Sequence, residues 1–293
     1  MKPLLLLIIL SALMLSAACS TTQRFHDSTD DPGVISWERR VSNQNLVIDM
    51  QWAKPMKPGP HSTLIIHPGI REKASDLKAL TIDLARHGYL AVAVSYQRIV
   101  NGTIEDTPFT LRDISDINFV LETIKQNPLV DRSNIGTIGF SLGGANSMLL
   151  AAHSADIKAV ATFYPMTDFI DWLDNHEKPF IWQLSILLMK SKIDKELPDT
   201  NLTTRRLFVA NYSPINYANQ LKMPILIFHG AEDKITPLSH SYNMVSKLRA
   251  FGNQDIDFKV VQRAGHAFNF AKSQQSEKSW GDLLKWLDLH IAT

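Results

Sequence analysis

The chain has 293 residues, of which 45% are hydrophobic and 20% charged, and its formal net charge at pH 7 is +1. This length suits one large α/β domain with a well-filled core, or two small domains. The near-neutral charge gives no indication of nucleic-acid binding or of a strongly acidic partner.

The first 18 residues differ from the rest in composition. A basic start precedes an apolar run and three small residues, in the order Met1-Lys2, 4–15 and 16–18. The apolar run is too short to cross a bilayer comfortably, so the pattern predicts a secretory signal peptide over residues 1–18. The alternative is a retained membrane anchor.

Cys19 is the only cysteine, which excludes a disulfide within the chain, and it stands directly after the predicted cleavage point. This arrangement resembles a bacterial lipoprotein, which implies acylation of Cys19 and attachment to a lipid bilayer facing the periplasm. Ser16 departs from that pattern, since a leucine usually stands three residues before the cysteine. Ordinary cleavage after Ala18 would instead give a soluble periplasmic or secreted protein. Residues 19–31 are predicted to be a polar tether.

Residues 32–293 show the pattern of one α/β domain. An extended pair over 34–54 is followed by alternating apolar strands and amphipathic helices, which indicates a mostly parallel, doubly wound sheet. The predicted strands are 63–66, 89–96, 135–140, 159–164, 224–228 and 256–261, and the predicted helices are 74–87, 111–126, 142–152, 237–250 and one at the C-terminus.

Residues 166–213 interrupt this alternation. The interval is too long for a loop in a compact domain, and its middle, 180–189, is strongly apolar. We interpret it as a small helical cap over the C-terminal edge of the sheet. An ordinary helix on the outside of the sheet would show the same pattern.

The most informative motif is Gly139-Phe140-Ser141-Leu142-Gly143, between a predicted strand and a predicted helix. A serine on such a sharp strand-to-helix turn has an exposed hydroxyl, and the residues two before and two after must lack a Cβ atom. The helix N-terminus would stabilise an anion formed beside Ser141. Ser141 is therefore the candidate nucleophile.

Two later residues can complete a catalytic triad. Asp233 and His266 follow predicted strands, at the sheet edge where Ser141 is expected. A serine needs a base to remove its proton and a carboxylate to orient that base. Taken singly, Asp233 could cap a helix, Glu232 is a competing carboxylate, and His266 could be a loop histidine.

From about residue 63 to the C-terminus, the chain resembles the α/β hydrolases, specifically their dienelactone-hydrolase and prolyl-oligopeptidase-like branch. The resemblance rests on four segments: 139–144, 212–215 leading to 224–230, Asp233 with Thr236-Pro237, and Gly265-His266. It implies an α/β-hydrolase fold with Ser141 as nucleophile, Asp233 as orienting acid and His266 as base.

The resemblance also bears on substrate. Dienelactone hydrolases proper carry a cysteine nucleophile where this chain has serine, and there is no room for the β-propeller of prolyl oligopeptidases. We therefore expect a carboxylesterase that cleaves small to medium esters through an acyl-enzyme. The alternatives are an aminopeptidase or acyl-peptide hydrolase, and a non-catalytic surface-binding protein on a hydrolase scaffold.

The oxyanion hole is expected to combine two backbone amides. One is that of Leu142, and the other comes from the loop after strand 63–66. Pro68 has no N–H group, which leaves Gly69 or Ile70, and we favour Gly69 because its amide can approach a substrate closely. The sequence has no phosphate-binding or dinucleotide-binding motif and no metal-ligand spacing of histidines, so no cofactor or metal is expected.

Overall fold

The structure, a computed structural model, describes residues 32–43, 46–100, 103–106, 114–174, 180–197, 199 and 201–291. The predicted signal peptide, Cys19 and the whole predicted tether lie outside these residues.

The described strands form one sheet, and apolar, buried segments make up its central strands. They are β1 (Val34–Ser42), β2 (Leu46–Pro55), β3 (His61–His67), β4 (Leu90–Val100), β5 (Thr103–Asp106), β6 (Val130–Phe140), β7 (Ile157–Phe163), β8 (Ile225–Gly230) and β9 (Ile256–Val261).

The described helices alternate with these strands from β3 onwards. They are α1 (Lys78–Arg86), α2 (Ile114–Lys125), α3 (Leu142–His153), α4 (Phe169–Asp174), α5 (Phe180–Glu196), α6 (Leu202–Ala210), α7 (Ser239–Ala250) and α8 (Gln274–His290). The predicted helix 74–87 begins as a 3-10 turn, Ala74–Leu77, before α1.

The order of strands in the sheet explains where a site can form. The order is β1-β2-β4-β3-β6-β7-β8-β9, with β5 paired to β4. The strands from β4 to β9 along this path are parallel, while β1 and β2 are antiparallel additions. The chain moves from β3 to β4 on one side and later returns to β6 on the other. Ligands bind α/β sheets at such a switch point, next to the carboxyl ends of the strands.

Apolar cores cover both faces of the sheet. Helices α2, α3 and α7 pack on one face, and α1 and α8 pack on the other. Residues within one strand alternate between them: Ile65 belongs to the first core, and Leu64 and Ile66 to the second. Because both faces are covered, the strands read as continuous apolar runs in the sequence. The predicted α/β-hydrolase architecture with a mostly parallel sheet is confirmed.

Helices α4, α5 and α6 lie between β7 and β8 in sequence and pack in a third cluster. It contains Trp172, Met189 and Val209 from these helices, together with Leu142 and Ala145 at the start of α3. The helices of the interval 166–213 therefore contact the first turn of the helix that follows Ser141.

The described residues contain neither a membrane-spanning helix nor a cluster of metal-ligating side chains. No helix among them combines the length and apolar character needed to cross a membrane. In the same residues, no group of three or more histidine, cysteine, aspartate or glutamate side chains is arranged to hold a metal ion.

Candidate active site

Ser141 lies on a sharp turn between β6 and α3, at the switch point of the sheet. Its φ of 53° and ψ of −115° are unusual for a residue other than glycine. Hydrogen bonds hold this backbone in place: the Ser141 amide donates to Phe163 O at 3.0 Å, and Met166 N donates to Ser141 O at 3.2 Å. A strained residue held by its neighbours is typical of functional sites.

The glycines around Ser141 are required by close backbone contacts. A Cβ atom on Gly139 would lie 2.2 Å from the carbonyl oxygen of Gly143. A Cβ atom on Gly143 would lie 2.1 Å from the carbonyl oxygen of His67 and 2.4 Å from that of Pro68. Gly143 thus lets the loop after β3 lie directly against the first turn of α3.

Asp233 and His266 form a hydrogen-bonded pair. The Nδ1 atom of His266 lies 2.7 Å from Oδ2 of Asp233. The other carboxylate oxygen, Oδ1, accepts the amides of Ile235 and Thr236 at 2.8 and 2.9 Å. Glu232, the competing carboxylate, is exposed, whereas Asp233 is buried.

The charge state of Asp233 determines the tautomer of His266. Burial alone would raise the pKa of Asp233, but the nearby imidazoles of His266 and His229 outweigh it and hold the pKa well below its usual range. The carboxylate is therefore ionised at neutral pH and can only accept. Nδ1 of His266 must carry the hydrogen, which leaves Nε2 as the acceptor of the neutral ring.

Tyr164 supports His266 from the strand next to Ser141. Its ring centroid lies 4.4 Å from that of His266, and its hydroxyl donates to Oδ1 of Asn269 at 2.6 Å. Tyr164 directly follows Phe163, whose carbonyl oxygen accepts the Ser141 amide. The histidine and the serine are thus both tied to the end of β7.

A second histidine, His229, braces the loop that carries Asp233. It is fully buried, and its Nε2 lies 2.8 Å from Thr236 O and 3.5 Å from Oδ2 of Asp233. Since a carbonyl oxygen can only accept, Nε2 carries the hydrogen and Nδ1 accepts from the Ser241 hydroxyl at 2.7 Å. His229 therefore fixes the acid loop and is shielded from substrate.

The structure bears on which amides can form the expected oxyanion hole. Leu142 is the first residue of α3, where amides have no acceptor within the helix, so its amide is available as a donor. Gly69, the favoured second donor, already gives its amide hydrogen to Oε2 of Glu72 at 2.6 Å. Among the hydrogen bonds of the described residues, none uses the Ile70 amide. Ile70 is therefore the remaining candidate in this loop.

The helices between β7 and β8 are joined to the acid loop by Trp172. This residue is fully buried, and its indole N–H donates to Ile235 O at 2.8 Å. The Ile235 amide in turn donates to Asp233. A side chain of the inserted helices is therefore separated from the candidate acid by a single residue.

Comparison with known proteins assigns the family. The sequence profile of the dienelactone hydrolase family matches residues 48–291, most of the chain. The chain belongs to the dienelactone hydrolase family. This family member is 24% identical over 277 residues to a Methylorubrum extorquens protein named "Putative carboxymethylenebutenolidase", covering 88% of this chain and 82% of that protein. It is 25% identical over 226 residues to the acylamino-acid-releasing enzyme of Rattus norvegicus, covering 72% of this chain and 28% of that enzyme.

Solved structures of other proteins superpose on this fold. Acylaminoacyl peptidase from Pyrococcus horikoshii superposes with a TM-score of 0.70 at 20% identity. The match covers 88% of this family member but 42% of the peptidase chain, so the relative is much longer. The Pyrococcus furiosus esterase Pf2001 superposes with a TM-score of 0.63 at 16% identity, covering 88% of this chain and 93% of the esterase. Members of this fold thus include both peptidases and an esterase.

Sequence reasoning missed four residues that contact the candidate site of this dienelactone hydrolase family member: Glu72, Tyr164, Trp172 and His229. The sequence pattern indicated the positions of two of them, because Tyr164 ends a predicted strand and His229 follows one, at the same edge as Ser141. No sequence pattern indicated Glu72 or Trp172, since their contacts depend on how a turn and a short helix fold back.

Proposed function

We propose that this protein is a serine carboxylesterase that cleaves small to medium esters through an acyl-enzyme. The observation that carries the proposal is the bonded pair of Asp233 and His266 at the sheet edge where Ser141 occupies a sharp, strained turn. Membership of a hydrolase family supports it further. A non-catalytic binding protein would have no need of an oriented acid–base pair beside such a serine.

The proposed reaction has two halves. Nε2 of His266 takes the proton of the Ser141 hydroxyl as the oxygen attacks the ester carbonyl, and the resulting imidazolium is stabilised by Asp233. The same proton then passes to the alcohol oxygen as the carbon–oxygen bond breaks, leaving an ester on Ser141. Water, deprotonated by His266, attacks that ester; as the bond between the acyl carbon and the Ser141 oxygen breaks, His266 returns the proton to that oxygen and the acid is released. The amide of Leu142 and one from the loop after β3 would stabilise both tetrahedral anions.

A second candidate function is release of acylated or N-terminal amino acids. It is favoured by the similarity to acylamino-acid-releasing enzyme and to acylaminoacyl peptidase. The same triad can cleave an amide, provided that His266 protonates the departing amine. We favour the ester because an alkoxide leaves the tetrahedral intermediate more easily than an amine does.

A paired panel of substrates separates the two functions. We would compare p-nitrophenyl esters of increasing acyl length with N-acyl amino acid p-nitroanilides, using wild type and Ser141→Ala. The proposal predicts kcat/KM for the best ester well above that for any anilide, and a loss of several orders of magnitude in the variant. A preference for the anilides would favour the peptidase function, and equal turnover by Ser141→Ala would contradict both.

The same panel addresses substrate length. We propose that α4, α5 and α6 line an acyl site, because their cluster includes Leu142, which is adjacent to Ser141. Activity should then peak at one acyl length. A flat profile across the series would contradict an acyl site formed by these helices.

We also propose that the protein is exported and anchored through acylated Cys19, on the pattern of residues 1–19. Mass spectrometry of the mature N-terminus from membrane fractions would test this. Diacylglycerol on Cys19 is the expected result, and Cys19→Ser should release the protein. An unmodified Cys19 would contradict the anchor.

A further inference from the structure

Glu72 closes the turn that follows β3. Its Oε2 accepts the Gly69 amide at 2.6 Å, and its own amide donates to Gly69 O at 3.3 Å. Between them, Arg71 has a φ of 67°, in the left-handed region that residues with a side chain rarely adopt. Two hydrogen bonds thus hold a strained turn in one conformation.

This turn lies against the nucleophile. The position of a Cβ atom on Gly69 is 3.7 Å from the carbonyl oxygen of Phe140, the residue before Ser141. The preceding residues of the loop, His67 and Pro68, contact Gly143 in the first turn of α3. The conformation of residues 69–72 therefore decides which backbone amide faces the region beside Ser141.

The carboxyl group of Glu72 is buried although the residue as a whole is half-buried. Its Oε1 is shielded from solvent and has no hydrogen-bond partner in the described part of the chain. Burial raises the pKa of Glu72 to about 7, with a smaller contribution from Asp76, against the lowering effect of the Gly69 amide. Burial of a carboxyl group with one oxygen that has no hydrogen-bond partner lowers the stability of the folded state. Such groups are found where they have a role in function.

We propose that Glu72 is a positioning residue of the oxyanion hole. By accepting the Gly69 amide, it removes that donor from the site and orients the turn so that the Ile70 amide faces the carbonyl oxygen that Ser141 attacks. The side chain of Ile70 packs in the cluster that contains Leu142, which holds the two proposed donors on the same side of the site. This inference rests on the proposed function.

The test uses two variants of Glu72 and a matched control. Glu72→Gln keeps an oxygen that can accept the Gly69 amide, whereas Glu72→Ala removes it. Asp76→Ala removes a similar contact nearby, since Oδ2 of Asp76 accepts the Lys73 amide at 2.8 Å. For each protein we would measure kcat, KM, the melting temperature and the inhibition constant of an alkyl boronic acid, which forms a tetrahedral anion on a serine.

The expected result separates transition-state effects from loss of stability. Glu72→Ala should lower kcat about 10- to 100-fold and weaken boronate inhibition by a similar factor, with KM changed less than about 3-fold. Glu72→Gln and Asp76→Ala should stay within about 3-fold of wild type. Wild-type kcat in Glu72→Ala, failure of Gln to restore activity, or an equal loss in Asp76→Ala would overturn the inference.

The hydrogen bond can be followed without activity. In ¹⁵N-labelled protein, the Gly69 amide should exchange slowly with solvent in wild type and in Glu72→Gln, and quickly in Glu72→Ala. If wild type turns over no ester, the proposed function fails, and the catalytic role of Glu72 fails with it. If wild type is active but Gly69 exchange is the same in all three proteins, only the inference fails.

Discussion

Gly143→Ala is predicted to disrupt the contact between the loop after β3 and α3. The new Cβ atom would lie 2.1 Å from His67 O and 2.4 Å from Pro68 O, both backbone atoms that cannot rotate away. Carbon and oxygen atoms normally stay more than about 3 Å apart, so the loop must move by about 1 Å. We expect a loss of unfolding free energy of about 2–4 kcal/mol, within the range of other overpacked sites. We also expect esterase activity to fall by at least about 100-fold.

Gly281→Ala is the matched control for this change. Gly281 also lies within a helix, α8, and a Cβ atom there would meet nothing within 4 Å. Because alanine favours helix over glycine by about 1 kcal/mol, this variant should be slightly more stable than wild type and fully active. Urea unfolding followed by tryptophan fluorescence measures the stability of both variants, and ester hydrolysis measures their activity. The reasoning is refuted if Gly143→Ala unfolds at the same urea concentration as Gly281→Ala and keeps its activity.

Three further variants test other contacts of the site. Asp233→Asn should lower kcat by about 10⁴-fold with little change in KM, because an amide no longer fixes the histidine tautomer; steady-state kinetics checks this, and a loss below 10-fold would contradict it. Wild type should lose stability as the pH rises, and Glu72→Gln should lack this loss. The pKa of the Glu72 carboxyl group is about 7 in the folded protein and near 4.5 in the unfolded chain. Between these two values, the folded state therefore binds more protons than the unfolded state. Wild type should therefore lose up to about 3 kcal/mol from pH 5 to pH 8, and urea titrations of equal slope would refute this. Trp172→Phe removes the hydrogen bond to Ile235 and should destabilise by about 1–2 kcal/mol. Trp52→Phe, at a buried indole N–H with no partner among the described residues, should not lose a hydrogen bond, so equal costs would count against the Trp172 contact.

The fold and the triad candidates were readable from sequence for a physical reason. A sheet covered on both faces needs apolar strands, and the carboxyl ends of its parallel strands meet at one edge. The residues after three such strands, Ser141, Asp233 and His266, are thus brought to one side of the molecule by topology alone. No side-chain contact had to be known in advance.

The oxyanion loop could not be read in the same way. Gly69 was favoured because it has an amide hydrogen and can approach a substrate closely. The sequence does not show which side-chain acceptors lie near that amide. Glu72 reaches Gly69 across a turn in which Arg71 adopts a left-handed conformation, which the sequence pattern does not predict. Strand β5 was not predicted, because its four residues are too few to show an alternating pattern of apolar and polar residues.

The observed β6 begins at Val130, before the predicted strand 135–140. Its pairing with β3 is irregular there, because His61 pairs with Val130 and Thr63 pairs with Ile135. Between these pairs, the amide and the hydroxyl of Ser133 both donate to Oδ1 of Asp131, which forms a local turn. A polar break of this kind has the same sequence pattern as the start of a strand, so the first residue of β6 could not be predicted.

Covalent labelling of Ser141 tests the central proposal most directly. We would treat the folded protein with a fluorophosphonate probe and identify the modified peptide by mass spectrometry. Ser154→Ala, at the far end of α3, serves as a control that keeps Ser141. We predict a label on Ser141 in wild type and in Ser154→Ala, with none in Ser141→Ala or in heat-denatured protein. Absence of label from folded wild type, or a label on another serine, would contradict the proposed serine hydrolase.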